Sequence, residues 1–74
     1  MPREVLKQAR KDKKMTQQAV ADYLGITMRH YQRIESASNI GSFSLWDGLE
    51  DLLGIHQRYL RKISDIHHAQ KEYP

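Results

Sequence analysis

The chain has 74 residues and no cysteine, so its size admits one small core and excludes disulfides and thiolate metal sites as its staples. Twelve Lys and Arg against nine Asp and Glu give a net charge of +3, which permits a polyanion partner without identifying one. Its apolar residues, 39% of the total, come in runs of two or three, and the charged start Met1-Pro2-Arg3-Glu4 lacks the apolar stretch of a signal peptide; a soluble, cytoplasmic protein with no membrane segment is expected.

Helical periodicity runs through almost the whole chain, and strand alternation is nearly absent. Val5, Leu6, Ala9 and Arg10 recur at spacings of three to four, with Lys7, Lys11 and Lys14 on another face, and predict a first helix over about 3–13. Thr16 is a good N-cap for a second helix, with Ala19, Val20, Tyr23 and Leu24 as its apolar face and Gly25 as its stop. Thr27 caps again two residues later. The helix it opens places Tyr31 and Ile34 inward and Met28, Arg29, Gln32 and Arg33 outward. Residues 36–43 read as a loop by composition. Ser44 is expected to cap a fourth helix carrying Leu45, Leu49, Leu52 and Leu53, ended by Gly54. From 56 to 72 a sparse stripe of Tyr59, Ile63, Ile66 and Tyr73 predicts a last helix. Charge is segregated along this order: residues 1–14 hold six bases and two acids, and 36–57 hold three acids and no base.

Two short helices joined by Gly25-Ile26-Thr27 make a steep crossing, the helix-turn-helix arrangement. Its second helix is of a size to enter the major groove of duplex DNA, about 12 Å wide. The stretch Thr16 to Thr27, with Tyr31-Gln32-Arg33-Ile34-Glu35 after it, resembles the Xre-type helix-turn-helix of lambda-repressor and Cro-like regulators, and Ser44 through Ile55 is similar to the family's fourth helix. The resemblance implies an all-α domain of four to five helices over 1–55; it does not cover 56–74, whose apolar stripe predicts a C-terminal helix for packing or dimerisation. It implies that Met28, Arg29, Gln32 and Arg33 read base edges and that Gln17 touches phosphate and supports the reading side chains. It also implies an ion pair between Arg10 and Glu35, and the residues agree, because each would be a strange inward charge without the other.

Thr16 and Thr27, whose helix starts leave free N–H groups, together with His30, Lys11, Lys14, Ser38 and Asn39, complete the expected phosphate contacts. One departure stands out. The family usually has a glycine after the Ile-Glu pair and then a basic or proline-containing loop; this chain has Ser36-Ala37-Ser38-Asn39. The basic residues Lys7, Lys11, Lys13 and Lys14 are expected to compensate.

His56, His67 and His68 do not have the i, i+4 spacing of a helical zinc site, so no metal is expected. No nucleophile–base pattern and no glycine-rich phosphate loop is present, so no enzyme, cofactor or small-molecule ligand is expected. Asp47, Glu50 and Asp51 read as a solvent face, and the neighbouring Trp46 as either core or an interface anchor. The expected function is a sequence-specific, repressor-like transcriptional regulator of bacterial or phage type, binding double-stranded DNA as a homodimer. The rival is a protein-interaction module on the same scaffold, of antitoxin or antirepressor type, favoured by the base-free 36–57 segment with Trp46.

Overall fold

The computed structural model describes residues 2–63. Within them the chain is all-α: α1 Glu4–Asp12, α2 Gln17–Leu24, α3 Met28–Glu35, α4 Phe43–Leu53 and α5 Gln57–Leu60. Side-chain oxygens cap three of these helices. Thr16 accepts from the Ala19 N–H and Thr27 from the His30 N–H, each at 3.0 Å, and Ser42 accepts from the Leu45 N–H at 3.2 Å. Each satisfies one of the donors that a helix start leaves unpaired.

Three helix ends share one closure, in which a residue in the left-handed region turns the next N–H back onto the last turn. After α1 that residue is Lys14 (φ 58), after α2 Gly25 (φ 73) and after α3 Ala37 (φ 69). The N–H groups of Met15, Ile26 and Ser38 then donate to the carbonyls of Arg10, Ala21 and Arg33 at 3.0–3.2 Å. Only the middle one of the three uses glycine, the residue that adopts this conformation without steric cost.

Leu6 of α1, Val20 and Ala21 of α2, Tyr31 and Ile34 of α3, Leu49 of α4 and Leu60 of α5 are fully buried, with Leu45, Trp46 and Leu53 close behind. Burial of each large apolar side chain supplies about 1.5–3 kcal/mol, so this one cluster is the main source of cohesion. Trp46 is core; its indole N–H donates to the Ile40 carbonyl at 2.8 Å. Gly41 permits that contact, since a Cβ there would lie 2.8 Å from Trp46 Nε1 and 3.2 Å from Ile34 Cδ1. Gln57 donates to both Asp47 (2.8 Å) and Glu50 (3.1 Å), tying α5 to the acidic side of α4.

Four sequence expectations are corrected here. The cap of α4 is Ser42, two residues before Ser44; that register buries Leu45, Trp46 and Leu49 and leaves Phe43 in solvent. Tyr23 is 54% exposed. Val20, Ala21 and Leu24 define the buried arc of α2, and at about 100° per residue Tyr23 falls outside its edge. The last helix is a single turn within the described residues, and Leu60, not Ile63, is the side chain it buries. The remainder of the expected 56–72 helix, with Ile66, His67, His68 and Tyr73, lies outside the described residues.

Candidate nucleic-acid interface

The short connection after Gly25 sets α3 against α2, with Ala21 and Ile34 fully buried between them and the body. Tyr31 and Ile34 turn one side of α3 inward, which leaves Met28, Arg29, Gln32 and Arg33 on the outside, all exposed. Among the described residues neither Arg29 nor Arg33 has an intramolecular partner for its guanidinium. Four side chains with hydrogen-bonding or apolar ends therefore stand along one helix whose length and diameter suit a major groove. His30 is half-buried beside them.

Beneath this surface a polar network joins three helices. Glu35, 4% exposed, accepts from Arg10 Nε at 2.8 Å and Nη2 at 3.2 Å, from the Tyr31 hydroxyl at 2.8 Å and from Gln17 Nε2 at 2.9 Å. Arg10 Nη1 also donates to the Met15 carbonyl at 2.9 Å, holding the turn before α2. Gln17 Oε1 in turn accepts from Gln32 Nε2 at 3.2 Å. The ion pair in the interior is thus connected to the exposed face of α3 by two amides.

Burial pushes the Glu35 carboxyl upward, but hydrogen bonds from Arg10, Tyr31 and Gln17 outweigh it and hold the group below the usual carboxylate range. The hydrogen bonds it donates to Glu35 raise Arg10 above the ordinary arginine value. Tyr31 is driven far above an ordinary phenol, by burial first and by Glu35 second. A neutral Tyr31 donates to a charged carboxylate, and every lone-pair direction of that carboxylate has a donor.

The expected phosphate contacts are distributed around this face. Thr16 and Thr27 stand at the starts of α2 and α3. Lys11, Lys13 and Lys14 are exposed on the last turn of α1 and the corner that follows, which leads directly into the Thr16 cap. Ser38 is exposed, with its hydroxyl near Ser36 Oγ at 3.1 Å. Asn39 is engaged internally: its Oδ1 accepts from the Gly41 N–H at 2.9 Å and its carbonyl accepts from Arg3.

Arg3 is the functional neighbour that the sequence did not single out. Only 5% exposed, it donates from Nη1 to the carbonyls of Ile34 (2.6 Å) and Asn39 (2.9 Å) and from Nε to that of Arg61 (3.0 Å). Its guanidinium lies 5.1 Å from the Trp46 ring centroid, a cation–π distance. The Arg3 N–H also donates to the Glu35 carbonyl at 2.9 Å. One side chain thereby fixes the end of α3, the following loop and the end of α5. Nothing local announces it, because every acceptor is more than thirty residues away along the chain.

Among the described residues no group of three His, Cys, Asp or Glu side chains is placed to hold a metal ion, and no helix is long and apolar enough to cross a membrane. A shallow groove of about 360 Å³ runs between α2 and α4, lined by Tyr23, Leu24, Ile26, His30, Leu45 and Gly48 among others. In comparison with known proteins, a family model described as helix-turn-helix matches residues 6–47, from Leu6 to Asp47. No curated protein and no solved structure matches the chain significantly.

Proposed function

The chain belongs to the Xre and lambda-repressor-like helix-turn-helix family of DNA-binding regulators, and from that premise we propose that it is a repressor-like transcriptional regulator that reads a two-fold symmetric operator as a homodimer. Helix α3 lies in the major groove, with Met28, Arg29, Gln32 and Arg33 toward base edges. The observation that carries this is the outward row on α3, in which two arginines have no partner among the described residues. An arginine paired with guanine O6 and N7 contributes about 1–3 kcal/mol of discrimination. Met28, just past the Thr27 cap, is placed to touch a thymine methyl. Thr16, Thr27 and Gln17 meet phosphate at the two helix starts, where backbone N–H groups and the helix dipole favour an anion. Lys11, Lys14, His30, Ser38 and Asn39 flank these contacts. Two copies place their α3 helices about 34–36 Å apart, one turn of duplex. Regulation follows from occupancy of the operator.

Replacing Arg29 and Arg33 with alanine tests the assignment. Both side chains are exposed, so the fold is expected to survive while sequence preference is lost. Lys11→Ala is expected to weaken all duplexes alike and lower the salt slope by about 1. Undiminished operator discrimination in the double arginine variant would refute the base-reading role.

A second reading, a protein-binding module of antitoxin or antirepressor type, is favoured by Ile40 and Phe43, which are 79% and 84% exposed within the base-free 36–57 segment. Trp46, which the sequence offered in its support, is buried and does not contribute. Salt dependence separates the two readings, since duplex affinity falls as about the −0.9 power of salt per neutralised phosphate.

A further inference from the structure

We infer that the exposed pair Ile40 and Phe43 is a contact between two copies of the chain on the operator, closed by Asp47 of each copy against Arg61 of the other; this rests on the DNA-binding reading above. Ile40 and Phe43 are 79% and 84% exposed, more than any other large apolar side chain among the described residues. They stand three residues apart on a backbone that is held in place. The Ile40 carbonyl accepts from the Trp46 indole, Asn39 Oδ1 accepts from the Gly41 N–H, and Ser42 caps α4 one residue before Phe43. Apolar side chains on a fixed backbone lose little freedom on association, so most of their burial counts toward binding.

The surrounding charges point to a second copy as the occupant. Phe43 and Asp47 are one turn apart on α4 and share a face. Gln57 donates to Asp47 at 2.8 Å, and Arg61 follows Gln57 by four residues. Arg3 donates to the carbonyls of both Asn39 and Arg61, which sets the end of α5 beside the Ile40 side of the pair. Burial first and the charge of Arg61 second hold Arg3 below the ordinary arginine value, in keeping with that placement. The apolar pair thus has an acid at its Phe43 end and a base at its Ile40 end. A two-fold axis between them lays the acidic end of one copy on the basic end of the other, apolar against apolar at the centre. Among the described residues neither Asp47 nor Arg61 has an ion-pair partner within the chain. Phosphate is a poor occupant, because 36–57 holds three acids and no base. Four apolar side chains, at about 150–250 Å² for each aromatic one, fall short of the roughly 1,200 Å² of a stable interface. The contact is therefore weak in free solution and closes on the operator, where one bound copy concentrates the next. It begins five residues past the end of α3, so it also fixes the spacing of the two α3 helices.

The test compares the full chain on a selected inverted-repeat duplex and on the same duplex with one half-site destroyed. Wild type is expected to fill the second half-site about tenfold more tightly than the first. Phe43→Ser should abolish that factor and leave single-site affinity unchanged. Asp47→Lys and Arg61→Glu should each reduce it, and the double reversal should restore it, a result that damage to the fold cannot imitate. Cooperativity that survives Phe43→Ser, or a double reversal no better than either single one, overturns the inference and leaves the DNA-binding reading in place. An equal loss of affinity for one and for two half-sites in Phe43→Ser would set this face on DNA, and overturns it too. Should wild type enrich no duplex, the DNA-binding reading fails, and sedimentation at about 1 mM protein decides the contact separately. Self-association that Phe43→Ser removes supports it; a monomer throughout assigns the face to a different protein and overturns it.

Discussion

Glu35 shows how one side chain couples stability to the binding surface. It is a charge in the interior, tolerable because Arg10, Tyr31 and Gln17 all donate to it. Removing one partner of such a pair leaves an uncompensated buried charge, so Glu35→Ala is expected to cost about 3–5 kcal/mol in denaturant unfolding. Converting both partners, Arg10→Met with Glu35→Leu, should restore a large part of that loss; a double variant as unstable as the single one would contradict the desolvation argument. Protonation gives the same result reversibly. The folded carboxyl titrates below its unfolded value of about 4.3, so its contribution is complete at neutral pH and is lost as pH falls below that value. Urea midpoints measured between about pH 6 and 3 should therefore drop more steeply in wild type than in Glu35→Gln. The Arg10–Glu35 pair was legible from the family resemblance, with which the inward position of both charges agrees. The roles of Tyr31, Gln17 and Arg3 in holding the same region were not, since they depend on which atoms the folded chain brings together.

At the scale of elements, the turns decide how α2 and α3 are presented. Ala37 closes α3 at φ 69, where a side chain is disfavoured by about 1–2 kcal/mol. Glycine relieves that strain and gives back part of it as unfolded-state entropy, so Ala37→Gly should stabilise by up to about 1 kcal/mol. Equal or lower stability would mean that the closure is held without strain. Gly41→Ala should do the reverse, by about 1–3 kcal/mol, because the added methyl meets Trp46 and Ile34 at a positive φ. Calorimetric melting of both variants checks the pair. The helices themselves were readable from caps and spacing: Thr16, Thr27 and Gly25 sit where their chemistry places them. The start of α4 was not, because Ser42 and Ser44 are equally good caps and only the burial of Leu45 and Trp46 chooses between them. The absence of glycine after Glu35 was visible as a departure from the family, yet the backbone it requires is supplied by Ala37 in the same conformation.

For the molecule as a whole, the five short helices of the described residues share one core, and the residues that hold it together also hold the proposed recognition helix. Arg3 joins the end of α3, the Asn39 loop and the end of α5, so α3 is braced from behind by the start of the described chain. In front of it the loop that the family makes basic carries instead the exposed Ile40 and Phe43. In the proposed complex, phosphate binding falls instead to the exposed Lys11, Lys13 and Lys14, which precede the Thr16 cap. The measurement that bears most directly on this arrangement is selection of bound duplexes from a random pool at about 0.15 M salt, near physiological strength. A dimer presenting two α3 helices predicts enrichment of an inverted repeat with half-site centres about 10 base pairs apart. Recovery of no preferred sequence would contradict sequence-specific operator binding and leave the helix-turn-helix as a scaffold for a protein partner.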